Sequence, residues 1–486
     1  YKNIEILCKN NYNKNGYKTS MISYLILIKK ENIMYQQFMD FMSEKLLPIA
    51  TKIGSQKHLV ALRDSFIATM PVVMTGSIAL LLNAFLSDFP SEFGWTQITE
   101  TFQWLIAING LIFNGSLAIV SLVFIFALGY NIAKVYETDK LSGGLVALAS
   151  FVVSLGTSIT QTFSLSAIDH GLAEMINKVT GLSYVDGQLS VTISGLIPGN
   201  QINSRGYFTA IVIGFIAVVI FSKCMQKKWT IKLPNSVPPA IAVPFTSIIP
   251  AFIAMYIVAI ITYAFNLMTG QLIIDWIYDV LQTPLLGLSQ NPLSIIMVAF
   301  LTQLFWFFGI HGGNVMAPIM EGVFGVALLA NLEAYQLGKD IPYLWTSVSY
   351  GAFVWYATLG LLIAIFWQSR NKHYREVAKL GIAPVLFNIG EPVMYGLPTV
   401  LNPLMFIPFL LCPIVLSTVA YGATALGLVS PVTQNVTWVM PPVLYGFFAT
   451  GFDWKSIILS LINLGLAIAI YLPFVKLANN PKFEKL

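Results

Sequence analysis

The chain has 486 residues, 56% apolar and only 10% charged, with a mean hydropathy of +0.73. Soluble domains carry roughly 25% charged residues, so the composition excludes a soluble enzyme, a disordered tail and a nucleic-acid binder. The 27 Lys and Arg against 22 Asp and Glu leave a net charge of +5, the modest basic excess that cytosolic loops of a membrane protein supply.

Residues 1–33, rich in Lys, Asn, Tyr and Ile, do not match the rest. Their apolar piece, Ile22 to Ile28, is too short for a secretory signal core with a cleavage site. They are read as an upstream or non-native extension, with the protein proper beginning at Met34. The following stretch spaces Phe38, Phe41, Met42, Leu46 and Ile49 at helical intervals, which predicts an amphipathic surface helix ahead of the first span.

Ten apolar runs then read as membrane spans: Phe66–Leu86, Leu105–Tyr130, Gly143–Phe163, Tyr207–Phe221, Ala240–Met268, Leu293–Ile310, Met316–Leu332, Ser347–Trp367, Leu401–Ala420 and Ile457–Phe474. Basic clusters at Lys52–Arg63, Lys223–Lys232, Arg370–Lys379 and Lys476–Lys485 belong on the cytoplasmic side. The segment Leu86–Phe102 carries Asp88, Glu92 and Glu100 without Lys or Arg and belongs outside. Ten crossings with both termini cytoplasmic satisfy every cluster, provided Met316–Leu332 crosses despite Glu321. Between the fifth and sixth spans, Ile274, Ile277, Tyr278, Leu281 and Leu285 of Gln271–Leu288 share one face of an amphipathic helix.

Two apolar stretches remain, Gly381–Pro398 and Val436–Phe452, both broken by Pro and Gly. Either one alone as a crossing would break the parity. They are read as re-entrant hairpins, since irregular backbone at membrane depth survives only inside protein or beside a wet cavity. Loops lying at the interface are the plainer reading. The expected fold is thus an all-α membrane protein of ten transmembrane helices and two re-entrant hairpins.

Ionisable groups at membrane depth cost several kcal/mol (about 2.5–3.5 on insertion scales) and mark sites. Of four histidines, His58 and His373 fall in basic cytosolic segments and His170 in a polar loop. His311 differs, because it ends an apolar run and precedes Gly312 and Gly313, which let another group approach the backbone. Gln303, Trp306 and Asn314 surround it in sequence. Glu391 sits between Gly390 and Pro392 in the first hairpin, with Asn388 three residues before and Asn402 beyond. The polar run Pro198–Phe208 holds Asn200, Gln201, Asn203 and Arg205. It reads as an interfacial loop anchored by Arg205, or as the outer mouth of a pathway.

These neutral amides, one imidazole and one carboxylate stand amid Trp306, Trp345, Trp355, Tyr395 and Trp438. Sugars need that mixture: hydroxyls pair with amides and carboxylates, and the apolar ring face stacks on aromatics. Three cysteines, Cys8, Cys224 and Cys412, form neither a disulfide framework nor a metal motif. No nucleotide fingerprint or metal-ligand spacing is present, so neither cofactor nor metal is expected.

The motifs GIHGGNVMAPIM at 309–320 and NIGEPVMYGLPTVLNP at 388–403, with residues 38–78, resemble enzyme IIC of the bacterial sugar phosphotransferase system. The nearest group is its lactose/cellobiose/diacetylchitobiose branch, and the likeness runs from about Met34 to Leu486. The resemblance implies a homodimer in the bacterial cell membrane. It implies an N-terminal dimerisation half (34–268), the linker helix (269–292) and a substrate-binding half (293–486). It places His311 and Glu391 on a disaccharide whose 6-hydroxyl takes phosphate from a phosphocysteine on enzyme IIB, itself fed by IIA. Those groups reside on partner proteins. Asn388, Asn314, Trp306, Gly312, Gly313 and Arg205 complete the candidate binding set, with Glu391 either base or positioner. A rigid shift of one half against the other would expose the site alternately.

Two other classes compete. In a proton-coupled secondary sugar transporter, His311 and Glu391 relay a proton. A membrane-embedded glycosidase or glycosyltransferase needs paired carboxylates, and only one deep Glu lies in a motif.

Overall fold

The computed structural model describes residues 52, 55–92, 94–165, 170–234, 238–397, 399 and 402–479. The extension expected at 1–33 and the amphipathic helix expected after Met34 lie outside them. Residues from Ser55 onward form one compact unit.

Helix α1 (Lys57–Asn83) is followed by α2 (Gln103–Asn114), α3 (Val120–Val135) and α4 (Lys140–Val153). Then comes a feature that the apolar count did not foresee. The strands β1 (Ser158–Ser164), β2 (Leu182–Val185) and β3 (Gln188–Ser194) form a small antiparallel sheet in the order β1-β3-β2. Thr160 faces Thr192, and their hydroxyls bond at 2.8 Å. The expected third span, Gly143–Phe163, is therefore shortened to a 14-residue helix plus β1. Gly156 ends the apolar helical run where its N–H is held by Gln201. Beyond it, Ile159 and Phe163 alternate with threonines at the two-residue period of a strand.

Next come α5 (Tyr207–Gln226), α6 (Pro239–Thr269), α7 (Pro292–Phe307), α8 (Gly312–Ile319) and α9 (Val326–Gln336). The chain continues through α10 (Ser347–Phe353), α11 (Ala357–Gln368), α12 (Lys372–Val385) and α13 (Glu391–Gly396). It ends with α14 (Pro403–Ala425), α15 (Leu444–Ala449) and α16 (Lys455–Leu477). Start signals are local. Asn291 and Asn402 each cap a helix whose first residue is proline, accepting the N–H of Leu293 and Leu404 at 2.9 Å. Proline's missing N–H costs nothing there.

Among the described residues, eight helical stretches are long and apolar enough to cross a membrane. A ninth arises if the pair Ile273–Ser289 and Pro292–Phe307, bent by 75°, is one span. The protein is a multi-pass, mostly helical membrane protein, with the count short of ten at the third run and at this bend. Met316–Leu332 does fall within a qualifying stretch, Gly312–Gln336, glutamate included.

Side chains collect into two cores. The first joins α1, α3, α4 and α5, with Phe124, Ile125, Leu128 and Phe221 fully buried. Its helices approach through small residues: a Cβ at Gly129 would collide with Ala147 and the Gly143 carbonyl. The second core is built from α7, α10, α11, α14 and α16. The stretch 312–336 serves both. Met316, Met320, Phe324 and Leu328 pack into the second core, while Val326, Ala327, Leu329 and Leu332 pack into the first.

The inward face expected for Gln271–Leu288 is also rotated. Ile274 and Ile277 are buried as expected, but Leu281 and Leu285 are exposed, and Gln282 and Leu286 are buried instead. A π-helical turn at Tyr278–Gln282 inserts an extra residue and shifts the inward face by one position.

Candidate functional site

Two interrupted helices meet at the site. His311 is the N-cap of α8, and its Nδ1 accepts the N–H of Asn314 at 3.1 Å. In the neutral ring this places the proton on Nε2. The imidazole lies against Trp306, 4.2 Å between ring centroids. Gly312 makes the tight passage from α7 to α8 feasible, because a Cβ there would collide with the Thr302 carbonyl oxygen.

Glu391 opens α13 directly after Gly390. The turn before it is set by Asn388, which takes a left-handed φ of 60°. Asn tolerates that region better than most residues. Its Nδ2 donates to the carbonyls of Trp438 and Met440 at 2.9 and 2.8 Å, tying the first broken segment to the second. Its Oδ1 is buried without a partner.

His311 Nε2 and Glu391 Oε1 stand 3.9 Å apart, with side chains 46% and 44% exposed. That separation is too long for a hydrogen bond. Both groups open onto one interior cavity of about 520 Å³, which is also lined by Trp306, Asn314, Gly313, Asn388, Trp355 and Trp438. A hydroxyl oxygen about 2.8 Å from each group closes a triangle on that base, accepting from Nε2 and donating to the carboxylate.

Arg205 and Gly312 are not among the residues lining this cavity. Arg205 pairs with Asp275 at 2.9 Å and lies over the Tyr278 ring, 4.3 Å from its centroid. Its neighbours Asn203 and Ser204 donate to Glu333 at 2.6 and 3.1 Å. The run therefore ties α9 and the helical turn at Ile273–Ile277 to the first core and walls a separate cavity of about 410 Å³. Trp345 is fully buried in the second core, and Tyr395 does not line the cavity. Three lining residues passed over as candidates are Arg63, Thr358 and Glu321. The available signal was Glu321 itself, an acid inside an apolar run. No group of three or more His, Cys, Asp or Glu is arranged for a metal among the described residues.

A cavity lined by one imidazole, carboxylates, amides and indole faces, set beside broken helices inside a bundle of apolar spans, has the character of a membrane permease for a small polar solute. Residues 63–413 match the family described as "Phosphotransferase system, EIIC". The cellobiose-specific EIIC component of Lactococcus lactis subsp. lactis is 38% identical, covering 90% of this chain and 97% of its own. The oligo-beta-mannoside-specific EIIC component of Bacillus subtilis is 31% identical, covering 89% and 92%. The transporter ChbC, the IIC component from the N,N'-diacetylchitobiose-specific phosphotransferase system, superposes with a TM-score of 0.81 at 30% identity, over 92% of this chain and 99% of that one. The chain belongs to the phosphotransferase system EIIC family.

Proposed function

We propose that the protein carries a β-linked disaccharide of the cellobiose or N,N'-diacetylchitobiose type and presents its 6-hydroxyl to a phosphorylated IIB partner. The observation that carries this reading is the His311–Glu391 pair, held 3.9 Å apart on the wall of a cavity large enough for two sugar rings. His311 Nε2 donates to the sugar, Glu391 accepts from the hydroxyl, and Trp306, Trp355 and Trp438 offer apolar faces to the rings. Asn314 supplies an amide. Asn388, Gly312 and Gly313 shape the backbone that aims the pair, and Arg205 braces the first core.

On transfer, the S–P bond of the partner's phosphocysteine breaks and an O–P bond forms at the 6-hydroxyl, whose proton Glu391 is placed to receive. IIA recharges IIB. The sugar phosphate leaves with about two negative charges at neutral pH, and Glu391, which suits a neutral hydroxyl, now stands beside a like charge. Uptake is then one-way without an ion gradient. We place the protein in the bacterial cell membrane with both termini cytoplasmic, as a homodimer through its first half. The exposed apolar side of α6, with Phe252, Tyr256, Ile260 and Tyr263, suits lipid or a second copy. The two cores and the shared stretch 312–336 suit a shift of one half against the other.

The test is uptake into proteoliposomes of labelled cellobiose, N,N'-diacetylchitobiose and lactose, with and without phosphorylated IIB enclosed. Sugar phosphate accumulating only with phosphorylated IIB is the expected result. Free sugar accumulating and stopping with a protonophore would establish the proton-coupled reading instead.

A further inference from the structure

Glu321 has no role in the His311–Glu391 chemistry, yet its position is exceptional. It lies in the π-helical turn Met320–Gly325, inside the span 312–336. The turn puts Met320, Gly322, Phe324 and Gly325 into the protein and leaves Glu321 on the cavity wall. Its Oε2 folds over Gly325, where a Cβ would come within 3.1 Å. Among the described residues its carboxylate makes no hydrogen bond and no ion pair. An acid inside an apolar span is costly, and this one opens onto the cavity, where a ligand can pair with it.

The place of that ligand follows from the walls. His311 and Glu391 line only the larger cavity, whereas Glu321 lines both it and a smaller cavity of about 220 Å³. The two cavities share Phe66, Trp355, Trp438 and Tyr445 as well. The smaller one adds neutral hydrogen-bonding groups: Thr69, Tyr207, Asn435 and Thr437. From His311 to Glu321 the chain advances ten residues of mostly helical backbone, about 15 Å at 1.5 Å per residue. Two linked pyranose rings bridge the gap between the inward-reaching side chains better than one ring does.

We infer that Glu321, with Tyr445 and the amide of Asn435, forms a second subsite that binds the hydroxyls of the sugar ring remote from the phosphate-accepting one. This rests on the disaccharide reading above. A carboxylate offers only acceptors, so the subsite selects rings that present donors. A hydroxyl pairs with it, and a deoxy position leaves the acceptor unmatched.

The experiment measures equilibrium binding to the purified full-length protein of cellobiose and its monodeoxy analogues, each hydroxyl of each ring removed in turn. The wild-type protein should bind at least one analogue lacking a hydroxyl on the remote ring about 10- to 100-fold more weakly than cellobiose. In Glu321→Gln that preference should collapse to within about threefold, with Glu321→Asp as the second variant should the first fail to fold. A remote-ring preference that survives in the variants, or that is absent from the wild type while cellobiose still binds, overturns the subsite. Absence of all saccharide binding by the wild-type protein would overturn the disaccharide reading itself, a distinguishable result.

Discussion

At the scale of single residues, the candidate site sets two groups from different broken helices on one cavity wall without joining them. His311 commits Nδ1 to the Asn314 N–H, which leaves Nε2–H as its remaining donor. Glu391 stands 3.9 Å from it, free to accept. Hydrogen bonds to charged groups contribute about 1.5–3 kcal/mol. Glu391→Gln should therefore weaken cellobiose binding by roughly 10- to 100-fold and abolish phosphorylation, read by calorimetry and by sugar phosphate formed with phosphorylated IIB. Gly312 fails differently. A Cβ against the Thr302 carbonyl must push α7 from α8, so Gly312→Ala should cost about 1–3 kcal/mol. It should lower the melting temperature in detergent while also misplacing His311. A variant that melts like wild type would remove that crossing from the account.

At the scale of elements, breaks in helices place the candidate residues on the cavity wall. Asn388 combines a left-handed turn with two hydrogen bonds to the carbonyls of the other broken segment. Its replacement separates those roles: Asn388→Gly keeps the backbone geometry and loses the bonds, and Asn388→Ala loses both. Both should lower sugar affinity, alanine more, and equal affinity for Asn388→Gly and wild type would show the bonds to be dispensable. Much of this level was legible in the sequence. Pro and Gly spacing marked both broken segments. The π turns were not legible. At Tyr278–Gln282 and Met320–Gly325 the local pattern still reads as α-helix, and only packing decides where the extra residue sits. That is why Gln282 rather than Leu281 faces inward, bonding the Ser204 carbonyl at 3.1 Å.

At the scale of the molecule, two cores meet along the stretch 312–336, and motion between them is the expected transport step. Phe85 and Phe448 offer a handle, since their rings come within 5.8 Å across that boundary. In a Phe85→Cys, Phe448→Cys variant, a short thiol cross-linker should cut proteoliposome uptake more than tenfold, with reversal by cleaving the linker. Sugar binding should persist. Unchanged uptake in the cross-linked protein would count against moving halves.

Composition and the lengths of apolar runs determined on their own that this chain spans a membrane many times. The isolated imidazole and acid stood out as candidates, because a charge at membrane depth is costly. The tertiary structure alone decided what lies beside what. It brought residues 311 and 391 to one wall and moved Arg205 into a brace with Asp275. It turned part of an apolar run into a strand and set Glu321 facing the cavity. Hydropathy sums over a window, whereas partnership depends on the direction in which each side chain points. That direction is fixed only when helices, turns and inserted residues pack together.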